Sequence, residues 1–510
     1  MQQSEGEQLV SNHEEADAPT TENNQLQQQQ QPRVFIRRWL ILAMFVSLSM
    51  SNAFQWIEYA IITNRVTAYY RVSTVAVNWT SMIYMLNYIP FIFPATWILD
   101  KFGLRIAALL GSFGNCFGAI IKCGSASPER FWLTFVGQTF AGTAQIFILN
   151  IPPRLAAVWF GPKEVSTATA LGVFGNQLGI AFGFFVPPLI MELSPNHTGI
   201  GLQRLFFISA GINSVIFLLI LLLFRDSPPV PPSQAQLAAI EATMDKNYLR
   251  SLKHLVTNRN FVLLFLTYGL NVGVFYAVST LLNQMVLQFF PGEDVLIGWM
   301  GFVIVISGMV GSVVCGLWLD CGCCGHFRHT FKFTTLVVYI FSFMGMVAYT
   351  FILDKGQIWL VFVVAGLLGF FMTGYLPLGF EFGAELTYPV AEGTVSGLLN
   401  CSAQIFGVAL TSGVGFLLEQ SFAVVHCNIG LTVFLLAGIA LTAVIQNDLR
   451  RQRGGQLASD EKAAKAASNS DTAAVPLMLS SKIVKEDADN EPNEMVELNN
   501  SSPSKNADQL

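Results

Sequence analysis

Aromatic and amide side chains recur inside long apolar stretches of the chain, where they are the residues best able to hold a ligand. Gln55 and Trp56 lie in the first stretch, and Tyr276 lies in the seventh. Because a polar group within a bilayer is costly unless it faces a cavity or a partner, such residues are candidates for a binding site. Further candidates are the uncharged groups Gln145, Asn176, Gln177, Asn283, Asn400 and Gln404.

Trp56 and Tyr276 are separated by the same number of residues as Asp100 and Asp320, which lie in two related turns. The two rings therefore occupy matching places if the chain contains two copies of one unit. Rings and amides without a cluster of Lys, Arg or carboxylates suit a small organic cation, which each ring face attracts by about 0.5 to 2 kcal/mol. The alternative is that the rings pack in the interior and the amides form hydrogen bonds between helices.

Glu58 lies two residues after Trp56 and is therefore on nearly the opposite face of a helix. We expect it to pack against a neighbouring helix, or to be protonated, rather than to share a site with Trp56. As an ionisable group within an apolar stretch, Glu58 is also the first candidate for coupling to a proton or sodium gradient.

The elements that must position these residues are transmembrane helices. The chain has 510 residues, of which 53% are hydrophobic and 12% charged, whereas soluble proteins carry about 25% charged residues. Its mean hydropathy is +0.51. Stretches of about twenty apolar residues, the length that crosses a bilayer, predict an all-α membrane protein with twelve spans. The spans begin near residues 39, 78, 104, 131, 165, 204, 261, 295, 333, 358, 393 and 424.

The spans fall into two sets of six, which predicts two pseudo-symmetric halves around a midplane site. We place the halves at residues 35–224 and 261–448, with a cytoplasmic linker at 225–260. Residues 1–34 and 449–510 are polar and are expected to be disordered cytoplasmic tails.

Lys and Arg are more frequent in the connections on the side of the tails, which predicts that both termini are cytoplasmic. The protein is expected to be a multi-pass protein of the plasma membrane. Arg65 and Lys122 belong to the sparser set on the outer side. The sequon at Asn196 also falls outside and is expected to be glycosylated, whereas a second sequon at Asn78 lies too near the bilayer.

Charged residues at the cytoplasmic ends of the spans are predicted to form gates. Asp100, Lys101 and Arg105 surround a glycine in the turn after the second span, and Asp320 lies in the matching turn after the eighth. Such groups can form charge pairs that hold the halves together while the outside is open. The alternative is a turn that serves only as a topology signal.

Two carboxylates near the inner end of the tenth span, Glu381 and Glu385, are one helical turn apart and share a face. We expect them to form an inner gate with basic groups such as Arg154 or Lys163. A proton relay is the alternative use of these residues.

The turn DKFGLR resembles the signature loop of the major facilitator superfamily, and the resemblance extends over residues 35 to 450. The strings NAFQWIEYAIITN, GNQLG, FYAVSTLLNQM and SGLLNCSAQIFG closely resemble the feline leukaemia virus subgroup C receptor family, solute carrier family 49. This resemblance implies facilitated diffusion of choline and ethanolamine, with haem export as the alternative. It also implies a substrate cage of Trp56, Gln145, Tyr276 and Gln404. Glu58 departs from the family, whose members carry Gln there.

The loop at residues 321–329 contains three Cys and two His, which are ligands for soft metals or haem iron. Its spacing fits no regular zinc motif, so we expect reduced thiols or lipid attachment and no metal site. No enzyme motif is present, and no cofactor or nucleic acid is expected. A monomer that binds a small organic cation and the lipid bilayer is the predicted form. A receptor that binds without transporting is the alternative of another class.

Overall fold

The computed structural model describes residues 35–161, 164–194, 197–230, 253, 255–320, 331–388, 390, 392–420, 422–446 and 450. Throughout this part of the chain, the regular structure is helical. Asn196, Lys163, the loop at 321–329, both tails and most of the linker lie outside it, as does the side chain of Asp320. The predictions made for those residues therefore stay predictions.

The described residues contain twelve α-helices, which we number in chain order. The first six are α1 (Arg37–Ile57), α2 (Thr63–Tyr70), α3 (Thr74–Cys123), α4 (Phe131–Trp159), α5 (Val165–Glu192) and α6 (Thr198–Leu223). The second six are α7 (Arg259–Leu287), α8 (Asp294–Asp320), α9 (Phe331–Ile352), α10 (Ile358–Thr387), α11 (Glu392–Glu419) and α12 (Val424–Val444).

Twelve spans are present because α3 contains two of them. Eleven helical stretches in the described residues are long and apolar enough to cross a membrane, and Thr74–Cys123, with 50 residues, is one of these. At 1.5 Å per residue it would be about 75 Å long, more than twice the hydrocarbon thickness. It breaks at Gly103, where φ is +82° and ψ is −178°. The prediction of twelve spans is confirmed.

Gly103 is required at this break for two reasons. Its positive φ is a conformation that residues with a Cβ atom rarely adopt. In addition, a Cβ atom there would collide with the carboxylate of Asp226, which accepts a hydrogen bond from the backbone N–H of Arg105 at 3.0 Å. The tight turn predicted from the sequence is therefore formed by this glycine and stabilised by the hydrogen bond to Asp226, which follows the sixth span.

The first span also breaks, directly after Ile57. Residues Ala60–Ile62 form a short 3₁₀ helix, and the span resumes as α2. Its counterpart in the second half, α7, is one continuous helix of 29 residues. The two halves therefore differ at the place where each carries its candidate aromatic residue.

The helices α1 to α6 (N-terminal half) and α7 to α12 (C-terminal half) meet along one surface, which we call the seam. There α5 packs against α8, and α3 packs against α11. Gly298 and Gly301 of α8 bring the backbones close, because a Cβ atom at either position would press on α5 at Phe184 or Pro188. Small residues at such contacts are the usual means of close helix packing in membranes.

Two ends of the bundle can be defined from these helices. Arg37 at the start of α1 donates a hydrogen bond to the carbonyl of Leu223 at the end of α6, and α7 begins after the linker that follows α6. We call this side the linker end and the opposite side the far end. The helices α1 and α7 both run from the linker end to the far end.

Candidate functional site

Trp56 of α1 and Tyr276 of α7 are in direct contact across the two halves. Their ring centroids are 5.4 Å apart and the ring planes are inclined by 69°, an edge-to-face arrangement. Trp56 is 4% exposed and Tyr276 is partly buried. The structure thus brings together the two rings that their matching positions in the sequence singled out.

Tyr276 is seated by a close approach of α11. A Cβ atom on Gly407 would lie 3.0 Å from Cδ2 of Tyr276 and 2.9 Å from the sulfur of Met85, a residue of α3. Only a glycine allows the three helices to meet this closely. Gln404 lies one turn before Gly407 on α11, and its side chain interacts with the Tyr276 hydroxyl.

Both aromatic side chains lean toward the linker end, because side chains on a helix tilt toward its N-terminus. Gln404 lies on that side of Tyr276, since α11 runs parallel to α7. On α4, Ala141 accepts a hydrogen bond from Asn52 of α1, and Gln145 is one further turn toward the linker end. Both amides are buried, with 3% exposure for Gln404 and 8% for Gln145. The two rings therefore point toward the level at which the two amides lie.

Tyr88 of α3 is a member of this region that the sequence analysis missed. It is fully buried, its hydroxyl donates a hydrogen bond to Asn150 at 3.5 Å, and it also interacts with Asn400 of α11 and with Tyr276. Its place beside the C-terminal half follows from the packing of α3 against α11, which the sequence pattern alone does not reveal. The proline that follows two residues later was the one local sign of an unusual position.

The remaining polar candidates lie in three different places; they are Asn176, Gln177, Asn283 and Gln55. Gln177 lies near the level of Gln145, since the flanking Gly175 and Gly179 pack on Val46 and Met50 of α1, and its buried Oε1 atom has no partner. Its neighbour Asn176 is partly buried, with an unpaired Nδ2 atom.

The other two candidates lie elsewhere. Asn283 is seven residues beyond Tyr276, about 10 Å nearer the far end, and both of its amide atoms are unpaired. The side chain of Gln55 points into the N-terminal half, where it donates to Asn115 at 2.8 Å. Proximity to Trp56 in the helix therefore does not bring Gln55 to the seam.

Glu58 forms a buried ion pair with Lys122, whose ammonium nitrogen is 2.5 Å from the carboxylate. Both side chains are completely buried. The expectation that Glu58 packs against a neighbouring helix, away from Trp56, agrees with this position. Lys122, which was counted on the outer side, stands in the last turn of α3, and its side chain folds back into the N-terminal half.

At the far end, an ion pair joins the two halves. Asp294 at the start of α8 accepts hydrogen bonds from Arg65 of α2 at 3.2 and 3.3 Å and from Asn64 at 2.9 Å. One turn deeper, Gln284 of α7 donates to Asn78 of α3 at 2.6 Å. We call the group of Asn64, Arg65 and Asp294 the far-end lock. Asn78, which accepts the hydrogen bond from Gln284, belongs to the second sequon, and this sequon is buried because Asn78 is 1% exposed.

The residues predicted as gates lie at the linker end, and Asp100, Lys101 and Arg105 make their contacts within the N-terminal half. Asp100 pairs with Arg154 of α4 at 3.3 Å, with both side chains about half exposed. The ammonium group of Lys101 lies 4.7 Å from the ring of Trp97. Arg105 donates to the carbonyl of Leu221.

The two carboxylates of α10 differ in their surroundings. Glu381 is exposed, whereas Glu385 is buried. The one-turn spacing predicted a shared face, but the neighbouring helices cover only the residue nearer the end of α10. Of the two basic partners suggested for them, Arg154 is engaged by Asp100.

The chemistry available at the seam is that of ring faces and neutral amides. Within the described residues, no group of three or more His, Cys, Asp or Glu side chains is placed to hold a metal ion. The rings attract a cation, the amides donate and accept hydrogen bonds, and the apolar surroundings strengthen both interactions.

Comparison with known proteins bears directly on this arrangement. The family model of the Major Facilitator Superfamily matches residues 35–412. The chain is 52% identical over 430 residues to the choline/ethanolamine transporter flvcr2a of Danio rerio. This match covers 83% of this chain and 89% of the relative. It is 48% identical over 451 residues to the choline/ethanolamine transporter FLVCR2 of Homo sapiens, with 88% and 84% covered. An uncharacterised transporter of the major facilitator type from Caenorhabditis elegans is 55% identical over 429 residues, with 84% of this chain and 72% of the relative covered. These relatives are transporters, which confirms the expectation that the chain is not an enzyme.

Solved structures resemble the fold as a whole. A bacterial homologue of the human lysosomal transporter Spinster, in an inward-facing and unoccupied conformation, superimposes with a TM-score of 0.61 at 12% identity, covering 82% of this chain and 98% of that one. A D-xylose–proton symporter gives a TM-score of 0.60 at 11% identity, with 81% and 98% covered. At these identities the likeness establishes the fold alone.

The far-end lock predicts a measurable change in access. Arg65→Ala should open the far end more often, because it removes an inter-half ion pair whose partly exposed Arg makes it worth about 0.2 to 1 kcal/mol. A membrane-impermeant maleimide should then label a Gln284→Cys reporter up to about five times faster than the same reporter without the Arg65 change. Arg71→Ala, which removes an exposed Arg near the same end, is the matched control. Equal labelling of all three proteins would show that the lock does not restrict access.

Proposed function

The chain belongs to the major facilitator superfamily and, within it, to the family of the FLVCR1 and FLVCR2 transporters, and we propose on this basis that it carries choline across a membrane by facilitated diffusion. Ethanolamine is the second proposed substrate. The relatives from Danio rerio and Homo sapiens carry both compounds in their names. Among the observations on this chain, the contact between Trp56 and Tyr276 is the one that carries the proposal.

A trimethylammonium group has no hydrogen-bond donor, so ring faces within about 6 Å are its main source of attraction. Trp56 and Tyr276 supply one ring from each half. Because their centroids are only 5.4 Å apart, the rings must part before a cation can lie between them. Alternatively, the cation can lie against the linker side of the pair. Either pose ties the position of the cation to the relative position of the two halves, as a carrier requires.

The amides Gln145 and Gln404 are proposed to recognise the hydroxyl end of the substrate. They lie on the side toward which both rings lean, and Gln404 interacts with Tyr276. Gln404 lies three residues, about 4.5 Å along the helix, from Gly407, which packs on Tyr276, so one small molecule can contact the Tyr276 ring and this amide at the same time. Gln177, with an unpaired buried oxygen, and Asn176 are proposed to extend this polar surface.

Alternating access is proposed to use the two ends of the bundle in turn. With both termini in the cytoplasm, the far end faces outward, and the far-end lock closes the outside. Rocking of the halves would break the Arg65–Asp294 pair and close the cytoplasmic end. The residues proposed to form charge pairs between the halves at that end are Asp100, Lys101, Arg105, Asp320, Glu381 and Glu385. The plasma membrane is the proposed location, with Asn196 as the proposed glycosylation site.

Haem transport is less well supported by the same region. Haem carries two propionates and an iron atom, which call for basic groups and axial ligands along the route. Within the described residues, the two His side chains, His197 and His426, lie at the ends of spans and not at the seam. The described basic residue nearest to Trp56 in the sequence, Arg65, is held by Asp294.

Substitutions of the aromatic pair test the proposal. Trp56→Ala and Tyr276→Ala should nearly abolish choline uptake, whereas Trp56→Phe and Tyr276→Phe keep a ring face and should lose about 1 kcal/mol or less in apparent affinity, a factor of up to about five. Uptake is measured per molecule of protein at the membrane surface. Trp359→Ala is the control, because Trp359 is 72% exposed on α10. If correctly inserted Ala variants took up choline at the wild-type rate, the rings would only pack in the interior and would not bind the substrate.

Substitutions of the amides test how the hydroxyl is recognised. Gln145→Ala and Gln404→Ala should weaken choline binding more than binding of tetramethylammonium, because only choline has a hydroxyl to lose its hydrogen bond. The ratio of the two apparent affinities should fall about three- to tenfold. A ratio that stays at the wild-type value while choline binding weakens would show that the amides act on protein structure and do not contact the hydroxyl.

A further inference from the structure

The break in the first span follows Trp56 by one residue and is not required by the repeat. Helix α1 ends at Ile57, whereas α7 continues through the matching region as far as Leu287. A break in a transmembrane helix frees backbone carbonyls, which must find other donors because lipid supplies none. The donors that serve these carbonyls are therefore the groups that hold the break.

Two side chains from neighbouring helices fill this role. The carbonyl of Trp56 accepts a hydrogen bond from the hydroxyl of Ser81 on α3 at 2.8 Å. The carbonyl of Gln55 accepts from the amide nitrogen of Gln138 on α4 at 2.9 Å. The carbonyl that precedes Trp56 and the carbonyl of Trp56 itself thus accept hydrogen bonds from other helices. Both donors, Ser81 and Gln138, are fully buried.

The amide of Gln138 is itself held by the buried ion pair. Its oxygen accepts hydrogen bonds from the ammonium group of Lys122 and from the hydroxyl of Tyr84, each at 3.2 Å. Lys122 donates in turn to Glu58, at the break. The contacts close a ring that runs from Glu58 to Lys122, to Gln138, to the carbonyl of Gln55 and back along three residues of chain. We call this group the buried ring.

A buried ion pair of this kind is an expensive way to stabilise a fold. Removing two charges from water offsets most of their attraction, and well-packed apolar residues often serve equally well for stability. What the ion pair adds is a fixed geometry. Here the ion pair fixes the positions of Gln55 and Glu58, which flank Trp56. It also fixes the start of the segment that leads to Arg65 in the far-end lock.

We propose that Glu58, Lys122 and Gln138 are positioning residues, which hold the broken turn of the first span so that Trp56 presents its ring to the ammonium group of the substrate. The inference rests on the proposed function for the identity of that substrate. Trimethylammonium depends on the ring face more than a primary ammonium does, because the latter can also donate hydrogen bonds. Loss of the ring's orientation should therefore weaken choline binding more than ethanolamine binding.

The experiment uses the full chain in lipid nanodiscs with three variants: Lys122→Met, the double variant Glu58→Leu with Lys122→Met, and Tyr339→Phe. Tyr339→Phe is the matched control, since it removes a buried hydrogen bond, from Tyr339 to the carbonyl of Thr267, in the C-terminal half. Lys122→Met should reduce the yield of folded protein, because Glu58 keeps a buried charge without its partner. The double variant should recover that yield.

Binding of choline and ethanolamine is then measured on the folded fraction. In the double variant, choline affinity should stay about tenfold below wild type, and the ratio of choline to ethanolamine affinity should fall about fivefold. Tyr339→Phe should keep the wild-type ratio. A double variant with the wild-type affinity and ratio would overturn the positioning role and leave only a structural one.

Hydrogen exchange separates this result from a failure of the proposed function. In the absence of any substrate, amides of residues 57–62 should exchange at least several times faster in the double variant than in wild type or Tyr339→Phe. If wild-type protein bound neither choline nor ethanolamine, the proposed function would fall, and faster exchange would still support the ring as the device that holds the break. Unchanged exchange at residues 57–62 would overturn the ring in either case.

Discussion

A bilayer interior provides no water to polar groups, so each buried amide, hydroxyl or charge in this chain must find a partner in the protein or face a cavity. In the N-terminal half, part of this pairing comes from contacts between amides. Asn115 receives hydrogen bonds from Asn52 and Gln55 and donates to Asn213, so that hydrogen bonds link four amides from three spans. This network and the buried ring link the spans of the half by hydrogen bonds, which supports the rocking of the two halves proposed above.

The aromatic pair lies where the same constraint is relaxed. Trp56 and Tyr276 can pack edge to face without hydrogen bonds, so they form a contact between the halves that can be made and broken at low cost. On the side toward which the rings lean, Gln177 keeps an unpaired buried amide oxygen. A polar atom without a partner, near rings that can separate, supports the ligand site proposed here.

The spans and the pairing of Trp56 with Tyr276 could be predicted from sequence because both depend on local or repeated patterns. Apolar length fixes a span, and equal spacing in two copies places two residues at matching positions. Gln55 shows the limit of this reasoning. Gln55 is next to Trp56 in the sequence, but which neighbour its side chain meets depends on how α1 packs between α3 and the seam, and adjacency in the sequence contains no information on that.

Contacts between distant segments were missed for the same reason. Lys122 and Glu58 come from different spans, and Arg65 and Asp294 come from different halves, so no local pattern links either pair. Lys122 looked like a residue of an outer connection because it stands at the end of an apolar stretch. A basic residue at such a place, with a carboxylate buried in a neighbouring span, is the signal that would have suggested the pair.

The central claim is that this chain moves choline as a cation, without an ion gradient, through the seam that contains the aromatic pair. Uptake of radiolabelled choline by sealed proteoliposomes under a potassium-diffusion potential tests it most directly. An inside-negative potential of 100 mV is equivalent to about 2.3 kcal/mol per charge, so choline should accumulate up to about fiftyfold with no proton or sodium gradient. Uptake that required one of those gradients, or haem movement without choline movement, would contradict the account.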